Sequence, residues 1–176
     1  MIAISYYNSP VGEIILGAHD GQLVMSDWRL SSKSEESLRQ LEKLLRCRAT
    51  FGSDALLDSA AAELDEYFGG KRRQFDIPLR FFGTPWQTTV WNLLQTIPYG
   101  STASYRSLAA MAGRDSAWRA AANACAANRL SIFLPCHRVL GTGGPGGYRG
   151  GTDAKKQLLE MEINGAELPE PFSPMA

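Results

Sequence analysis

Between residues 116 and 127, seven positions are alanine: Ala117, Ala120, Ala121, Ala122, Ala124, Ala126 and Ala127. Alanine is the strongest helix former and has almost no side chain with which to cover a neighbour. The stretch therefore predicts a slim helix that can approach a groove closely, with one face packed into a core. Arg119 projects from its first turn. Upstream, Ser104 to Ala112 reads as a short helix and Gly113 to Asp115 as a turn, so the two helices make a helix-turn-helix pattern.

The rest of the chain divides around residue 81. Residues 2–7, 13–18 and 22–28 read as strands, broken at Asn8-Ser9-Pro10 and at Asp20-Gly21, the second a hairpin signal. Helices are expected over 33–46, where Leu38, Leu41, Leu44 and Leu45 recur at helical spacing, and over 54–68, ended by Gly69-Gly70. A strand is expected from Phe75 to Leu79, and His19 is expected in a solvated loop. After Phe81-Phe82-Gly83, Thr84-Pro85 opens a helix that runs to about Gln95 and buries Trp86, Val90, Trp91 and Leu94. Ile97-Pro98-Tyr99-Gly100 then breaks the chain, and a last helix covers 153–162 with Leu158, Leu159 and Met161 on it. The pattern implies an α+β support domain over 1–80 and a mostly helical domain over 81–176. The proline-rich stretch from Glu167 onward is expected to be mobile.

Charge is unevenly placed. Residues 101–152 hold six arginines (Arg106, Arg114, Arg119, Arg129, Arg138 and Arg149) against one acid, Asp115, whereas residues 1–80 carry twelve acids and ten bases. The net charge is zero, so any nucleic-acid contact must rest on this local excess of phosphate-matching guanidinium forks. Three widely spaced cysteines, Cys47, Cys125 and Cys136, argue against a disulfide scaffold and for a reducing compartment. With only His19 and His137 available, no cluster has metal-ligand spacing. No signal peptide and no apolar run of membrane-spanning length is visible, so a cytoplasmic protein is expected.

The chemistry-bearing stretch is Leu134-Pro135-Cys136-His137-Arg138-Val139, between an apolar run and a segment, Gly141 to Gly151, in which seven of eleven residues are glycine. A cysteine attacks as thiolate, and a free pKa near 8.5 leaves little thiolate at neutral pH without an adjacent base or cation. His137 is the available base; a buried core cysteine is the plainer reading. Asn128 either ties the loop to neighbouring backbone or simply ends the alanine helix. Tyr148-Arg149 within the glycines fits a lid over an aromatic ligand, with a flexible linker as the alternative. Glu162 could orient an imidazole or be a solvated glutamate.

An ordered set of motifs resembles the O6-alkylguanine-DNA alkyltransferases. It comprises Gly83-Thr84-Pro85-Trp86-Gln87 with Val90-Trp91, Ile97-Pro98-Tyr99-Gly100, Ser104-Tyr105 with Leu108-Ala109, Arg119-Ala120, Asn128, Pro135-Cys136-His137-Arg138-Val139 and Gly147-Tyr148-Arg149-Gly150-Gly151. The resemblance is close over residues 84–163. Many members have Asn-Pro where this chain has Asn128-Arg129, and a small polar residue where it has Arg149.

The resemblance implies a ribonuclease-H-like N-terminal domain of antiparallel sheet plus helix, followed by a helical domain with a winged-helix or helix-turn-helix motif. It implies a single-turnover repair protein that binds duplex DNA through the minor groove and flips out O6-alkylguanine (with O4-alkylthymine a second substrate). The alkyl group would move to Cys136, with His137 as base through a water, Glu162 orienting His137, and Asn128 completing the catalytic group. Tyr105 would donate to the leaving guanine. Arg119 would fill the vacated stack on a DNA-binding face shared with Tyr105, Ala120 and Ala126. Ser131, Val139, Tyr148 and Arg149 would line the substrate pocket, the carbonyls of Cys136 and Val139 reading the exocyclic amine and the Arg149 amide lying near O6. No cofactor, metal or membrane partner is implied, and a monomer is expected. A damage sensor lacking the acceptor thiol, a helix-turn-helix regulator and a Cys-His hydrolase are the competing readings.

Overall fold

The computed structural model describes residues 1–165; the stretch from Glu167 onward lies outside them. Met1–Arg80 form one compact unit and Phe81–Gly165 another.

In the first unit, β1 (Ile2–Ser9), β2 (Gly12–His19) and β3 (Gln22–Trp28) make an antiparallel meander. The β2–β3 turn is tight because Asp20 and Gly21 both take positive φ (48° and 73°), the combination that matches the twist of a two-residue hairpin. After α1 (Ser34–Leu45), a short β4 (Ala49–Phe51) pairs with β1 in parallel, giving the order β3-β2-β1-β4. The sheet is therefore mixed, with one parallel edge added to the expected antiparallel strands. α1 supplies the crossover that a parallel neighbour requires.

α2 (Ala55–Phe68) lies on the sheet through Leu57, Ala60, Leu64, Tyr67 and Phe68, all buried. Asp54 caps it, its carboxylate accepting from Leu56 N and Leu57 N. The expected strand at 75–79 is reduced to one bridge, Leu79 beside Leu23. Pro78 has no N–H to donate, and its carbonyl instead accepts from Leu23 N at 2.8 Å. His19 is not solvated: its side chain is 12% exposed and Nδ1 lies 3.0 Å from the Met1 carbonyl.

The second unit contains α3 (Pro85–Leu94), α4 (Tyr105–Met111), α5 (Trp118–Ala126) and α6 (Thr152–Asn164). A two-stranded parallel pair, β5 (Ala103–Ser104) and β6 (Val139–Leu140), ties the start of α4 to the segment after the cysteine. Capping boxes fix the starts of α3 (Thr84 with Gln87) and α4 (Ser104 with Ser107). The second cap makes Tyr105 the first helical residue of α4. Leu94, Leu108, Ala121, Leu130, Leu134 and Leu158 are fully buried and form the core. Trp86 is only half-buried, with Arg114 over its ring at 5.0 Å. No described helix is long and apolar enough to cross a membrane.

Candidate active site

Asn128 follows α5 and organises the loop that presents the thiol. Its Oδ1 accepts from Leu130 N (2.9 Å), while Nδ2 donates to Leu134 O (2.9 Å) and to Cys136 Sγ (3.2 Å). The loop is tight enough to force buried Ile132 to φ 74°. That conformation costs a β-branched residue about 1–3 kcal/mol, so the surrounding bonds must outweigh it. Cys136, His137 and Arg138 then form one buried helical turn leading into β6.

Glu162 reaches this turn from α6 and is itself 3% exposed. Its Oε1 lies 2.7 Å from His137 Nε2 and accepts from Arg138 Nη2 at 3.0 Å; its Oε2 accepts from Arg138 Nε at 2.8 Å. Arg138 Nη1 donates to Ile97 O (2.7 Å) and Gly100 N to Glu162 Oε2 (3.3 Å). This accounts for the Ile97–Gly100 motif: Gly100 takes φ 76°, and a Cβ there would sit 3.0 Å from the Glu162 carbonyl.

Burial raises the Glu162 pKa, but the hydrogen bond from His137 and the hydrogen bonds and charge of Arg138 outweigh it and hold the carboxyl well below the usual range. An ionised carboxylate only accepts, so His137 Nε2 carries the ring proton and Nδ1 presents a lone pair. Nδ1 is buried and has no hydrogen-bond partner among the described residues. Burial also lowers the His137 pKa against the pull of Glu162, so the ring is neutral. The Cys136 thiol is pushed up by burial and drawn back by Asn128, Lys155 and Arg149. It rests protonated, next to an imidazole able to accept.

These shifts fix a pH response. His137 and Glu162 both bind protons less readily folded than unfolded, so their contribution is complete above the unfolded values and is lost as pH falls. Urea midpoints are expected to hold near neutrality, to fall below the ordinary histidine value of 6.5, and to fall further below the ordinary carboxyl value of 4.5. A midpoint that rises on acidification would contradict a neutral, buried His137.

Tyr105 stands beside the glycine segment: a Cβ on Gly146, which takes φ 77°, would lie 2.9 Å from its hydroxyl. Burial first, then the Cys125 and Cys136 sulfurs, push its pKa to about 12. Tyr148 meets the His137 ring edge-on at 6.4 Å, and Ser131 and Val139 are buried in the adjoining loop and strand. Arg149 Nη1 donates to Ala126 O (3.3 Å), bridging the glycine segment to α5. Cys125 is buried. On α5, Arg119, Ala120 and Ala126 are exposed, and Arg119 lies over the Trp118 ring at 4.6 Å. Two indoles hold the helix from beneath, Trp86 Nε1 donating to Ala120 O (3.1 Å) and Trp91 Nε1 to Ala124 O (2.9 Å). No group of three or more His, Cys, Asp or Glu among the described residues could hold a metal ion.

Both halves match one family. Residues 2–81 match the 6-O-methylguanine DNA methyltransferase ribonuclease-like domain, and residues 85–164 match the DNA binding domain of the same name. The chain belongs to the 6-O-methylguanine DNA methyltransferase family. It is 36% identical over 165 residues to the methylated-DNA–protein-cysteine methyltransferase of Mycobacterium bovis, covering 92% of this chain and 93% of that one. It is 44% identical over 110 residues, 62% of each chain, to the inducible methylated-DNA–protein-cysteine methyltransferase of Bacillus subtilis. The crystal structure of Mycobacterium tuberculosis OGT in complex with DNA superposes with a TM-score of 0.79 at 33% identity, covering 93% and 94% of the two chains.

Two charged residues of this methyltransferase-family site escape a motif reading. Arg138 lies inside the motif, yet its part as the second anchor of Glu162 shows only in three dimensions. Lys155 is fully buried, and its Nζ donates to Val139 O (2.6 Å) and Gly147 O (3.4 Å) and lies 3.5 Å from the Tyr105 hydroxyl. Burial lowers its pKa. The signal was periodicity, because 155, 158, 159 and 162 share the buried face of α6, and a lysine among leucines there needs a polar reason.

Proposed function

We propose that the chain is a methylated-DNA–protein-cysteine methyltransferase, taking the alkyl group of O6-alkylguanine, and of O4-alkylthymine, in duplex DNA onto Cys136. One observation carries this reading. A buried thiol held by Asn128 sits next in sequence to a neutral histidine whose Nε2 is anchored on Glu162 and whose Nδ1 is free to accept a proton. That is nucleophile, base and orienter in order.

The thiol proton passes to His137 Nδ1 through a bridging water, and Glu162 steadies the imidazolium. The Sγ–carbon bond forms as the carbon–O6 bond breaks, and the electron pair stays on the purine. Tyr105 keeps its proton at neutral pH and donates a hydrogen bond to the ring as charge develops there. The purine finally takes up one proton, so thiol plus O6-alkylguanine becomes thioether plus guanine. A thioether has no comparably good leaving group, so each molecule acts once. The carbonyls of Cys136 and Val139 read the exocyclic amine and the Arg149 amide meets O6, with Tyr148 and Ser131 completing the wall.

Duplex binding draws on the arginine excess around α5. Arg119 fills the gap left by the flipped base, and Ala120 and Ala126 keep the helix slim enough for the minor groove. The protein acts as a cytoplasmic monomer. The mycobacterial relative in complex with DNA supports DNA binding.

The test is intact mass after mixing with a duplex carrying one O6-methylguanine, followed by peptide mapping. The expected result is a gain of one methylene unit per protein, located on Cys136. Unchanged mass with damage-selective binding would indicate a sensor, and unchanged mass without selectivity would remove the alkyl-transfer reading.

A further inference from the structure

α5 opens on Trp118, whose neighbours set it apart. The other tryptophans are committed: Trp28 and Trp91 are buried, and Trp86 donates its indole N–H to Ala120 O. Trp118 is 39% exposed on the first turn of the helix that carries Arg119, with that guanidinium 4.6 Å over its ring. Its indole also lines a cleft with Tyr105, Arg106, Leu140, Gly141 and Thr142. Tyr105 is thus shared between this cleft and the site around Cys136. An aromatic plane stands between the side chain proposed to fill the base stack and the phenol proposed to meet the extruded base.

Charge names the occupant. Arg106 lines the same cleft as the indole, Arg119 lies over its ring, and Asp115 is the one acid in residues 101–152. An exposed aromatic ring within a cationic surface suits a nucleic-acid strand, because every base offers a π-face and every link a phosphate. The guanidinium of Arg119 cannot cover the indole and fill a vacated stack together. When it leaves for the duplex, the ring loses its cation–π partner and its face becomes available.

We infer that Trp118 is a second DNA-stacking residue, taking the nucleotide next to the flipped base on the damaged strand as Arg119 moves off it. Arg106 neutralises a phosphate of the same strand. This rests on the alkyl-transfer reading above, and wild-type methyl transfer from duplex DNA is the control that tests that reading separately.

The experiment compares wild type, Trp118→Ala and Trp118→Phe for methyl transfer from a duplex with one O6-methylguanine and from the free O6-methylguanine base. Thermal midpoints check that each variant folds. Loss of one stacked base should lower the duplex-to-free-base rate ratio of Trp118→Ala by about 10- to 100-fold, with Trp118→Phe recovering most of it. In a duplex with 2-aminopurine beside the lesion, wild type should quench the probe on binding more than Trp118→Ala does. An unchanged ratio would overturn the proposal, as would an equal fall in both rates, which would make Trp118 a support of the pocket. Equal quenching by wild type and Trp118→Ala would likewise remove the stacking contact.

Discussion

Replacing Glu162 by glutamine is expected to destabilise the second unit by about 3–5 kcal/mol, a fall in thermal midpoint of roughly 10–20 °C. The carboxylate is the charge partner of the Arg138 guanidinium, which is 6% exposed, and the hydrogen-bond partner of His137, which is fully buried. Glutamine keeps the shape but removes the charge, leaving the guanidinium unpaired away from water. Breaking one side of a buried pair costs far more than the pair contributes as a unit. Replacing both partners by apolar residues, Arg138→Met with Glu162→Leu, should therefore recover much of the stability without recovering alkyl transfer, because His137 still lacks its anchor. A midpoint shift under about 3 °C for Glu162→Gln would mean that water or rearrangement reaches the guanidinium.

Cys136→Ser is expected to lower alkyl transfer by at least about 10³–10⁴-fold, to below detection on the time scale of the wild-type reaction, while the fold persists. The change is a single atom, and Asn128 Nδ2 can donate to the hydroxyl as it does to sulfur at 3.2 Å. What is lost is the nucleophile. A serine hydroxyl is far less acidic than a thiol, so an imidazole cannot ionise it appreciably, and oxygen is harder and less polarisable toward saturated carbon. Damaged-duplex affinity should stay near the wild-type value, since Arg119 and α5 are untouched. Intact mass and gel-shift titration read the two properties separately. Wild-type transfer by the serine variant would place the acceptor elsewhere, with peptide mapping to show where.

The parts of the molecule that could be read from the chain are those in which one residue decides a local outcome. Asp20-Gly21 dictates a turn by its φ angles, and Thr84-Pro85 and Ser104 dictate helix starts. The leucines of residues 33–46 mark the helix but not its buried face, since Leu41 is buried with Ser34 and Ser37 while Leu44 is 53% exposed. β4 was missed because three residues are too few to show alternation, and its pairing with β1 is set by the α1 crossover. The strand expected near Phe75 failed on Pro78, whose missing N–H limits pairing to one bridge. In the site, adjacency pointed to Cys136 and His137, whereas the Arg138–Glu162 bonds span 24 residues and depend on how α6 returns to the cysteine turn. Lys155 required reading a charge as out of place on an apolar face, which a search for motifs passes over.

The two indoles beneath α5 solve a mechanical problem that an alanine rod creates. A smooth cylinder packed on a smooth bed has little to define its axial position, and slipping by one residue would swing Arg119 through about 100°. Trp86 and Trp91 peg the rod at Ala120 and Ala124, carbonyls about one turn and 6 Å apart along the axis. The thin surface is thereby indexed like a key against its wards. Under the proposed duplex contact, torque on that helix would pass to α3 instead of being lost as slippage between Arg119 and the Cys136 turn.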